Sequence, residues 1–184
     1  MDHYQDIQLL PDPEFGAPQL MSVLFAKLHR ALVQRQSQDI GVSFPDLHRK
    51  GTGAVLRLHG SAAALQALTE QPWLAGMRDH VAMTGISAVP ASAAHQVVRR
   101  VQAKSSPERL RRRQMKRKGW TAEQARAAIP DHVAETLKLP FLSIRSQSTG
   151  QTFHLFIDQH PVDQALSGPF NPYGLSASAS LPKF

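Results

Sequence analysis

The sequence contains no cysteine and no long apolar run. The absence of cysteine excludes disulfides, thiolate zinc sites and cysteine nucleophiles, and it fits a reducing cytosol. No window approaches the ~18 consecutive apolar residues that a membrane-spanning helix needs. Residues 1–6 also lack the basic and apolar stretches of a secretory signal. We therefore expect a cytoplasmic protein with no membrane contact.

Acidic residues are outnumbered, and the excess of positive charge lies in one segment. The 184 residues include 21 lysines and arginines against 14 aspartates and glutamates, a net charge of +7. Residues 99–118 hold ten basic side chains against the single acid Glu108, which makes +9 and leaves −2 for the other 164 residues. A near-neutral body with one dense cationic element is typical of a protein that binds a polyanion. A solvated charge run or a localisation signal is the alternative.

The first 90 residues show an alternation of strand and helix patterns. Apolar residues recur at three- and four-residue spacing between Pro18 and Gln34, which predicts an amphipathic helix. A second helix is predicted over 62–69, and the strand-like segments are 4–10, 40–44, 55–58 and 81–89. The resulting order β-α-β-β-α-β predicts a ferredoxin-like domain, the plan that RNA-recognition modules also use.

A short segment of small residues and proline follows this predicted domain. Residues 88–94 read Ala-Val-Pro-Ala-Ser-Ala-Ala, so we predict a boundary there, with domains over 1–92 and 93–184. The second domain combines two predicted helices with a hairpin. The fold class is therefore expected to be α+β, with a ferredoxin-like first domain.

The basic segment includes the first helix of the second domain. A cap, a first-turn proline and an acid at Ser106-Pro107-Glu108 predict a helix over about 107–118. Its positions i, i+3, i+4, i+7 and i+8 are cationic where a core helix would be apolar: Arg109, Arg112, Arg113, Lys116 and Arg117. We expect this arginine-rich helix to project from the body and to bind phosphates, with Lys104 in the same basic segment. Arg100 and Gln102 are of the types that pair with guanine and adenine, or they belong to an ordinary polar strand edge.

Four residues are candidates for chemistry, and each has an ordinary structural explanation as well. His29 falls at the edge of the apolar face of the first helix, where a histidine transfers protons near neutral pH or is a passive surface residue. Ser146 and Ser148 share one face of a predicted strand, where they hold a ribose or a phosphate or form the rim of a hairpin. Tyr173 is one of only two tyrosines, and a half-buried core position is its ordinary explanation.

Patterns for metal and nucleotide sites are missing from the sequence. The nine histidines form no H-x-x-x-H pair with a helical glutamate, no cluster of acids is typical of magnesium, and G-x-x-x-x-G-K is absent. We therefore expect neither a metal nor a cofactor. If the protein cleaves RNA, we expect the RNA's own 2′-hydroxyl to be the nucleophile, with a histidine-type group to transfer the proton.

Seven segments along the chain resemble one known family. They lie at residues 3–4, 11–15, 20–29, 100–105, 107–113, 145–151 and 173–176, and include Arg100-Val101-Gln102-Ala103-Lys104-Ser105 and Arg145-Ser146-Gln147-Ser148-Thr149-Gly150. From end to end, the chain is similar to the CRISPR precursor-RNA processing endoribonucleases of subtype I-F, the Csy branch of the Cas6-like family.

The resemblance implies an endoribonuclease that binds a CRISPR repeat stem-loop and cuts the precursor crRNA at the 3′ base of the hairpin. It implies attack by the 2′-hydroxyl without a metal, which leaves a 2′,3′-cyclic phosphate and a 5′-hydroxyl. It also implies an enzyme that is a monomer when free. This enzyme stays on its product as a subunit of a type I-F crRNA-guided surveillance complex for antiviral defence.

The resemblance also implies a role for individual residues. His29 would transfer the proton, Tyr173 would orient His29, and Ser146, helped by Ser148, would fix the ribose at the scissile phosphate. The implied RNA contacts are Arg100 and Gln102 to bases, Arg113, Lys116 and Arg117 to phosphates, and Phe153 beneath the last base pair. This sequence departs from the family pattern at Lys116, where we expect arginine, and at Pro172, which directly precedes the tyrosine.

Two other classes of function remain open from the residues alone. A non-catalytic RNA-hairpin-binding subunit of a ribonucleoprotein would use the basic helix only as an anchor. A duplex-DNA-binding protein would show no preference for hairpin RNA. Strong loss of affinity with salt is expected of all three.

Overall fold

The computed structural model of the protein describes residues 1–102, 107–130, 137–146 and 150–184. Two residues with predicted roles, Lys104 and Ser148, lie outside these ranges. The described residues form two antiparallel sheets and four α-helices, which confirms the α+β prediction.

Contacts between residues divide the chain into two compact units. The larger unit consists of residues 1–101 and 139–184, and the smaller unit consists of residues 102–138. The predicted boundary between residues 92 and 93 stays a prediction. Each unit is described by itself below.

The first sheet of the larger unit comes from the first 88 residues. Its strands are β1 (His3–Leu9), β2 (Gly41–Ser43), β3 (Val55–Gly60), β4 (Val81–Met83) and β5 (Ser87–Ala88), and its helices are α1 (Ala17–Arg35) and α2 (Ala62–Thr69). The strand order is β2-β3-β1-β4, with β5 on the opening residues of β1 and all pairs antiparallel. The order of elements along the chain agrees with the predicted β-α-β-β-α-β series, whereas the ferredoxin-like assignment itself stays a prediction.

Helix α1 forms because its apolar side chains share one face. Pro18 lies in the first turn, and Gln36 caps the end of the helix with a left-handed backbone (φ 51°). The buried face consists of Leu20, Met21, Leu24, Phe25, Leu28, Ala31 and Leu32. Truncating one of these fully buried leucines to alanine costs about 2–5 kcal/mol of stability. The opposite face is left for other contacts, and His29 lies at its border.

The second sheet of the larger unit joins the end of the chain to its middle. Its strands are β6 (Ala94–Val101), β7 (Phe141–Arg145), β8 (Thr152–Val162) and β9 (Leu181–Lys183), in the antiparallel order β7-β8-β6-β9. Strands β7 and β8 form the predicted hairpin, with Leu142 opposite Leu155 and Ile144 opposite Phe153. The short strand β9 was not foreseen from the sequence.

The two sheets share one hydrophobic core. Leu142, Leu155 and Ile157 belong to the same buried cluster as the apolar face of α1. The Ser22 hydroxyl on α1 accepts a hydrogen bond from the backbone N–H of Ser143 on β7, at 3.1 Å. Burial of this kind stabilises the unit by roughly 25 cal/mol for each Å² of apolar surface removed from water. The shared core therefore fixes α1 against the β7–β8 hairpin.

The smaller unit contains two helices, α3 (Pro107–Lys118) and α4 (Ala122–Ala128). Helix α3 has the predicted bounds and ends at Gly119, whose positive φ (67°) suits glycine. Helix α4 begins with the predicted capping box, in which Thr121 and Gln124 each accept the other's backbone N–H. The Arg111 guanidinium ties α3 to the end of α4 by donating to the carbonyl of Ile129 at 2.7 Å. Across the described ranges, no helix combines the length and hydropathy needed to cross a bilayer.

Candidate active site

An open groove lies in the larger unit between α1 and the hairpin of β7 and β8. Its volume is about 660 Å³. Residues from three separate parts of the chain line it, among them His29, Arg30, Ser146, Phe153 and Tyr173. The structure thus brings together four of the residues that the sequence singled out: His29, Ser146, Phe153 and Tyr173.

His29 is held in this groove through one of its ring nitrogens. Its Nδ1 lies 2.8 Å from the carbonyl oxygen of Pro172, 143 residues further along the chain. Because a carbonyl oxygen only accepts, Nδ1 must carry the hydrogen of this bond. In the neutral ring, Nε2 therefore carries the lone pair and is the nitrogen able to take up a proton. The side chain is half-buried, so the ring is both positioned and accessible.

The ring of Tyr173 covers one face of the imidazole. The two ring centroids are 3.9 Å apart and the planes differ by 10°, a stacked geometry. Tyr173 also contacts the fully buried Phe25, whose ring is nearly parallel to it at a centroid distance of 6.2 Å. The stack therefore connects His29 to the rigid core of the protein.

A tight turn positions Tyr173 and the carbonyl of Pro172. The Asn171 side-chain oxygen accepts the backbone N–H of Tyr173 at 2.8 Å and that of Leu175 at 3.3 Å. Gly174 has a φ of 70°, and a Cβ at this position would lie 2.9 Å from a methyl carbon of Val42. The carbonyl of Pro172, the proline that departs from the family pattern, is thus the acceptor for His29. Sequence reasoning missed this carbonyl; the Asn-Pro-Tyr-Gly turn was its only local signal.

Ser146 lies at the end of β7, where the hairpin loop begins. Its backbone N–H donates to Gln151 at 2.8 Å, and its carbonyl accepts from Gly150 at 2.9 Å. These two bonds hold the base of the loop and keep Ser146 in the groove wall. Ser148 lies beyond the described residues, so the predicted pair of hydroxyls is represented by Ser146 alone.

Arg100 and Phe153 form a cation-π pair on neighbouring strands. The guanidinium carbon lies 5.4 Å from the ring centroid of Phe153. The Nε atom of Arg100 is buried and has no hydrogen-bond partner within the described part of the chain. A buried N–H without an acceptor is costly.

The basic residues of α3 belong to the smaller unit, and all of them except the half-buried Arg111 are exposed. The predicted phosphate-binding residues are all exposed: Arg109, Arg112, Arg113, Lys116 and Arg117. Gln102 is exposed as well. None of the described residues of α3 is buried, so the helix presents its cations without an apolar face of its own. As far as the chain is described, no three histidine or acidic side chains come together in a group that could hold a metal ion.

Known proteins similar over the whole chain are CRISPR-associated endonucleases. The CRISPR-associated endonuclease Cas6/Csy4 of Pseudomonas aeruginosa (strain UCBPP-PA14) is 54% identical over 187 residues, which cover 100% of both chains. The protein of the same name from Escherichia coli (strain UTI89 / UPEC) is 48% identical over 186 residues, again with 100% of both chains covered.

The family itself is also shown directly. The family model described as CRISPR-associated protein (Cas_Csy4) matches residues 4–184. The chain therefore belongs to the Cas_Csy4 family of CRISPR-associated proteins, which confirms the resemblance drawn from its motifs.

Proposed function

We propose that this protein is an endoribonuclease that binds a CRISPR repeat stem-loop and cuts the precursor crRNA at the 3′ base of the hairpin. Family membership supports the class of reaction, since both relatives are named endonucleases. The observation that carries the proposal is the placement of His29, tied to Pro172 and stacked on Tyr173, in a groove shared with Ser146 and Phe153.

In the proposed reaction, Nε2 of His29 removes the proton of the 2′-hydroxyl beside the scissile phosphate. The 2′-oxygen then bonds to phosphorus, the bond from phosphorus to the 5′-oxygen breaks, and the leaving oxygen takes up a proton from water. The products are a 2′,3′-cyclic phosphate and a 5′-hydroxyl, and no metal is required. General base catalysis of this kind contributes roughly 10²- to 10⁴-fold in rate. The neutral and the charged imidazole both donate their Nδ1–H to the carbonyl of Pro172. This hydrogen bond is stronger when the donor ring is charged, so the carbonyl stabilises the imidazolium.

Ser146, with Ser148, holds the ribose and the phosphate in the orientation that attack requires. Such positioning matters because a misaligned oxygen reacts far more slowly. Tyr173 is a positioning residue, since it acts through the imidazole. Phe153 stacks beneath the last base pair of the stem, and Arg100, whose guanidinium lies over the Phe153 ring, contacts a base edge nearby.

The exposed cations of α3 bind phosphates in the major groove of the stem, which opens near a helix end. Arg113, Lys116 and Arg117 are the principal phosphate contacts, with Arg109, Arg112 and Lys104 beside them, and Gln102 contacts a base. Arginine's planar group suits bidentate phosphate contacts, whereas Lys116 offers a single point charge. After cleavage, the cytoplasmic monomer remains on the stem-loop and joins the other subunits of a type I-F surveillance complex.

The test compares two histidine variants that share one feature. His29→Ala should retain hairpin affinity and lose cleavage by about 10²-fold or more. His48→Ala is the matched control, because His48 also holds a carbonyl through Nδ1, that of Gly51 at 2.8 Å, but lies outside the groove. The control should cleave normally.

Two conditions test the route. Cleavage should persist in EDTA and stop when the scissile nucleotide carries a 2′-deoxy sugar. Cleavage of the deoxy substrate would overturn the proposed mechanism. Tight binding with intact RNA after long incubation would instead indicate a non-catalytic RNA-binding subunit.

A further inference from the structure

A second groove lies beside the candidate active site on the outer surface of α1. Its volume is about 330 Å³, and its walls include Lys27, Gln71 and Trp73. Two further residues of α1, Arg30 and Gln34, line both this groove and the active-site groove. The two grooves therefore adjoin each other across the exposed face of α1.

The geometry of the helix explains this adjacency. His29 and Lys27 lie on opposite sides of the exposed face, because two residues along a helix correspond to ~200° of rotation. Arg30 and Gln34 lie between them, one turn apart. A flexible chain that leaves the imidazole and passes over Arg30 therefore reaches Lys27 and Trp73 next.

The second groove combines positive charge with an aromatic surface. Helix α1 contains no acidic residue, and neither does the segment 71–78 that forms the opposite wall. The Lys27 ammonium donates to the carbonyl of Ala75 at 2.6 Å, which holds its charge at the groove. Arg30 is exposed and has no hydrogen bond or ion pair among the described residues.

Trp73 gives the groove a rigid stacking surface. Its ring is half-buried and packs against the hydrophobic core, so one part is fixed and another part remains accessible. Gln34 and Gln71 add amide groups that both donate and accept. Cations that follow a backbone, beside an aromatic ring on which a base stacks, are the features that single-stranded nucleic acid recognises.

We propose that this second groove binds the single-stranded RNA that continues on the 3′ side of the scissile phosphate. This inference rests on the proposed function, in which Phe153 marks the stem side of the site. The strand passes His29, crosses Arg30 and Gln34, and stacks one of its first bases on Trp73. Lys27 and Arg30 bind the intervening phosphates. An acidic peptide would fit the charge, but adjacency to the cleavage site favours the substrate strand.

The consequence is that the uncut substrate is held more tightly than the product. Once the strand is cut, the 3′ fragment keeps only the contacts of this groove and leaves, whereas the stem-loop stays. The groove would thus align the scissile bond before cleavage and release one product after it.

The experiment measures affinity with RNA hairpins that carry a 2′-deoxy sugar at the scissile nucleotide. One hairpin ends at that nucleotide, and the others extend by one to six nucleotides on the 3′ side. For the wild-type protein, the extended hairpins should bind about five-fold more tightly or better, since stacking one base is worth at least that much. The gain should reach its full value within about three nucleotides, and the salt dependence should steepen by roughly 0.7 for each added phosphate contact.

Variants of the second groove should lower the ratio of the affinity for an extended hairpin to the affinity for the hairpin that ends at the scissile nucleotide. Lys27→Gln and Trp73→Leu should each bring the ratio close to one, whereas Trp73→Phe should keep most of the gain because the stacking surface remains. Lys50→Gln is the matched charge control, since Lys50 is exposed and lies outside both grooves. It should leave the ratio unchanged.

The outcomes separate this inference from the proposed function. A wild-type ratio of one, with normal hairpin binding and cleavage, would overturn the second groove as an RNA site and leave the proposed function intact. A five-fold ratio that survives both Lys27→Gln and Trp73→Leu, without photocrosslinks from 4-thiouridine in the extension to residues 71–75, would also overturn it. Failure to bind any repeat hairpin would overturn the proposed function instead.

Discussion

The stacked contact between His29 and Tyr173 makes a specific prediction about which part of the tyrosine matters. The rings are 3.9 Å apart and nearly parallel, so the aromatic surface touches the imidazole. Among the described residues, the Tyr173 hydroxyl has no hydrogen-bond partner. Tyr173→Phe should therefore cleave RNA at close to the wild-type rate, whereas Tyr173→Leu should be slower.

The size of the effect follows from the two contacts that hold the imidazole. An aromatic pair is worth about 0.5–1.5 kcal/mol beyond its burial. Removal of the stack leaves the bond from Nδ1 to Pro172, so the productive ring orientation should lose no more than this free energy. The rate should accordingly fall by about 2- to 13-fold. Loss of the imidazole itself in His29→Ala should cost roughly 10²- to 10⁴-fold.

The assay is single-turnover cleavage of a repeat hairpin with the protein in excess at saturating concentration, so that affinity does not enter the rate. Since Tyr173 also contacts Phe25, thermal unfolding of each variant shows that the measured chain is folded. A purely positioning role predicts a pH–rate profile of unchanged shape with a lower plateau.

Two results would refute this reasoning. If Tyr173→Phe loses as much rate as Tyr173→Leu, the hydroxyl has a chemical role that the stacked geometry does not explain. If Tyr173→Leu cleaves as fast as the wild-type protein, the stack does not orient the imidazole.

Three further predictions concern stability and binding. Burial, helped by the charge of Arg57, lowers the pKa of His59 to about 3 from 6.5. As the pH falls below 6.5, His59 takes up a proton in the unfolded chain but stays neutral in the folded protein. The free energy of unfolding should therefore fall by about 1.4 kcal/mol per pH unit between pH 6.5 and pH 3. Between pH 7 and pH 5, the free energy of unfolding measured in urea should fall by about 2 kcal/mol in the wild-type protein and by less in His59→Gln. An equal fall in both proteins would contradict this account of His59. Gly174→Ala should lower the stability measured by thermal unfolding by about 1 kcal/mol or more, because φ is positive at this position and the new Cβ would lie 2.9 Å from Val42. It should also slow cleavage by displacing Tyr173. Unchanged stability would show that the turn does not need glycine here. Arg113→Gln should lower the slope of log Kd against log salt by about one, and an unchanged slope would exclude a phosphate contact.

Local patterns in the sequence predicted most of the elements. The apolar spacing from Leu20 to Leu32 predicted α1 to within one or two residues at each end, and Ser106-Pro107-Glu108 predicted the beginning of α3. The capping box of Thr121 and Gln124 formed as expected. These features depend on hydrogen bonds and side-chain contacts within one or two turns, so they can be read without knowledge of the rest of the chain.

The family was likewise evident from the sequence, because its motifs extend from the first strand to the 173–176 segment, and the family comparison confirms it. The roles of all the candidate site residues stay predictions, including those of His29, Ser146 and Tyr173. For Ser148 and Lys104 the described residues offer no geometry to set beside the motif.

Only the tertiary structure decided how the groove is assembled. The Nδ1 of His29 finds its acceptor 143 residues away, and β6 pairs with β9 across more than 80 residues. Such contacts depend on how two sheets bury a common core, and no local pattern encodes which carbonyl will meet a given side chain. The sequence by itself therefore determined the helices, the basic segment and the family, because these depend on neighbouring residues. The tautomer of the imidazole, its stacking on Tyr173 and the adjacency of the two grooves at Arg30 depend on long-range packing and became known only from the fold.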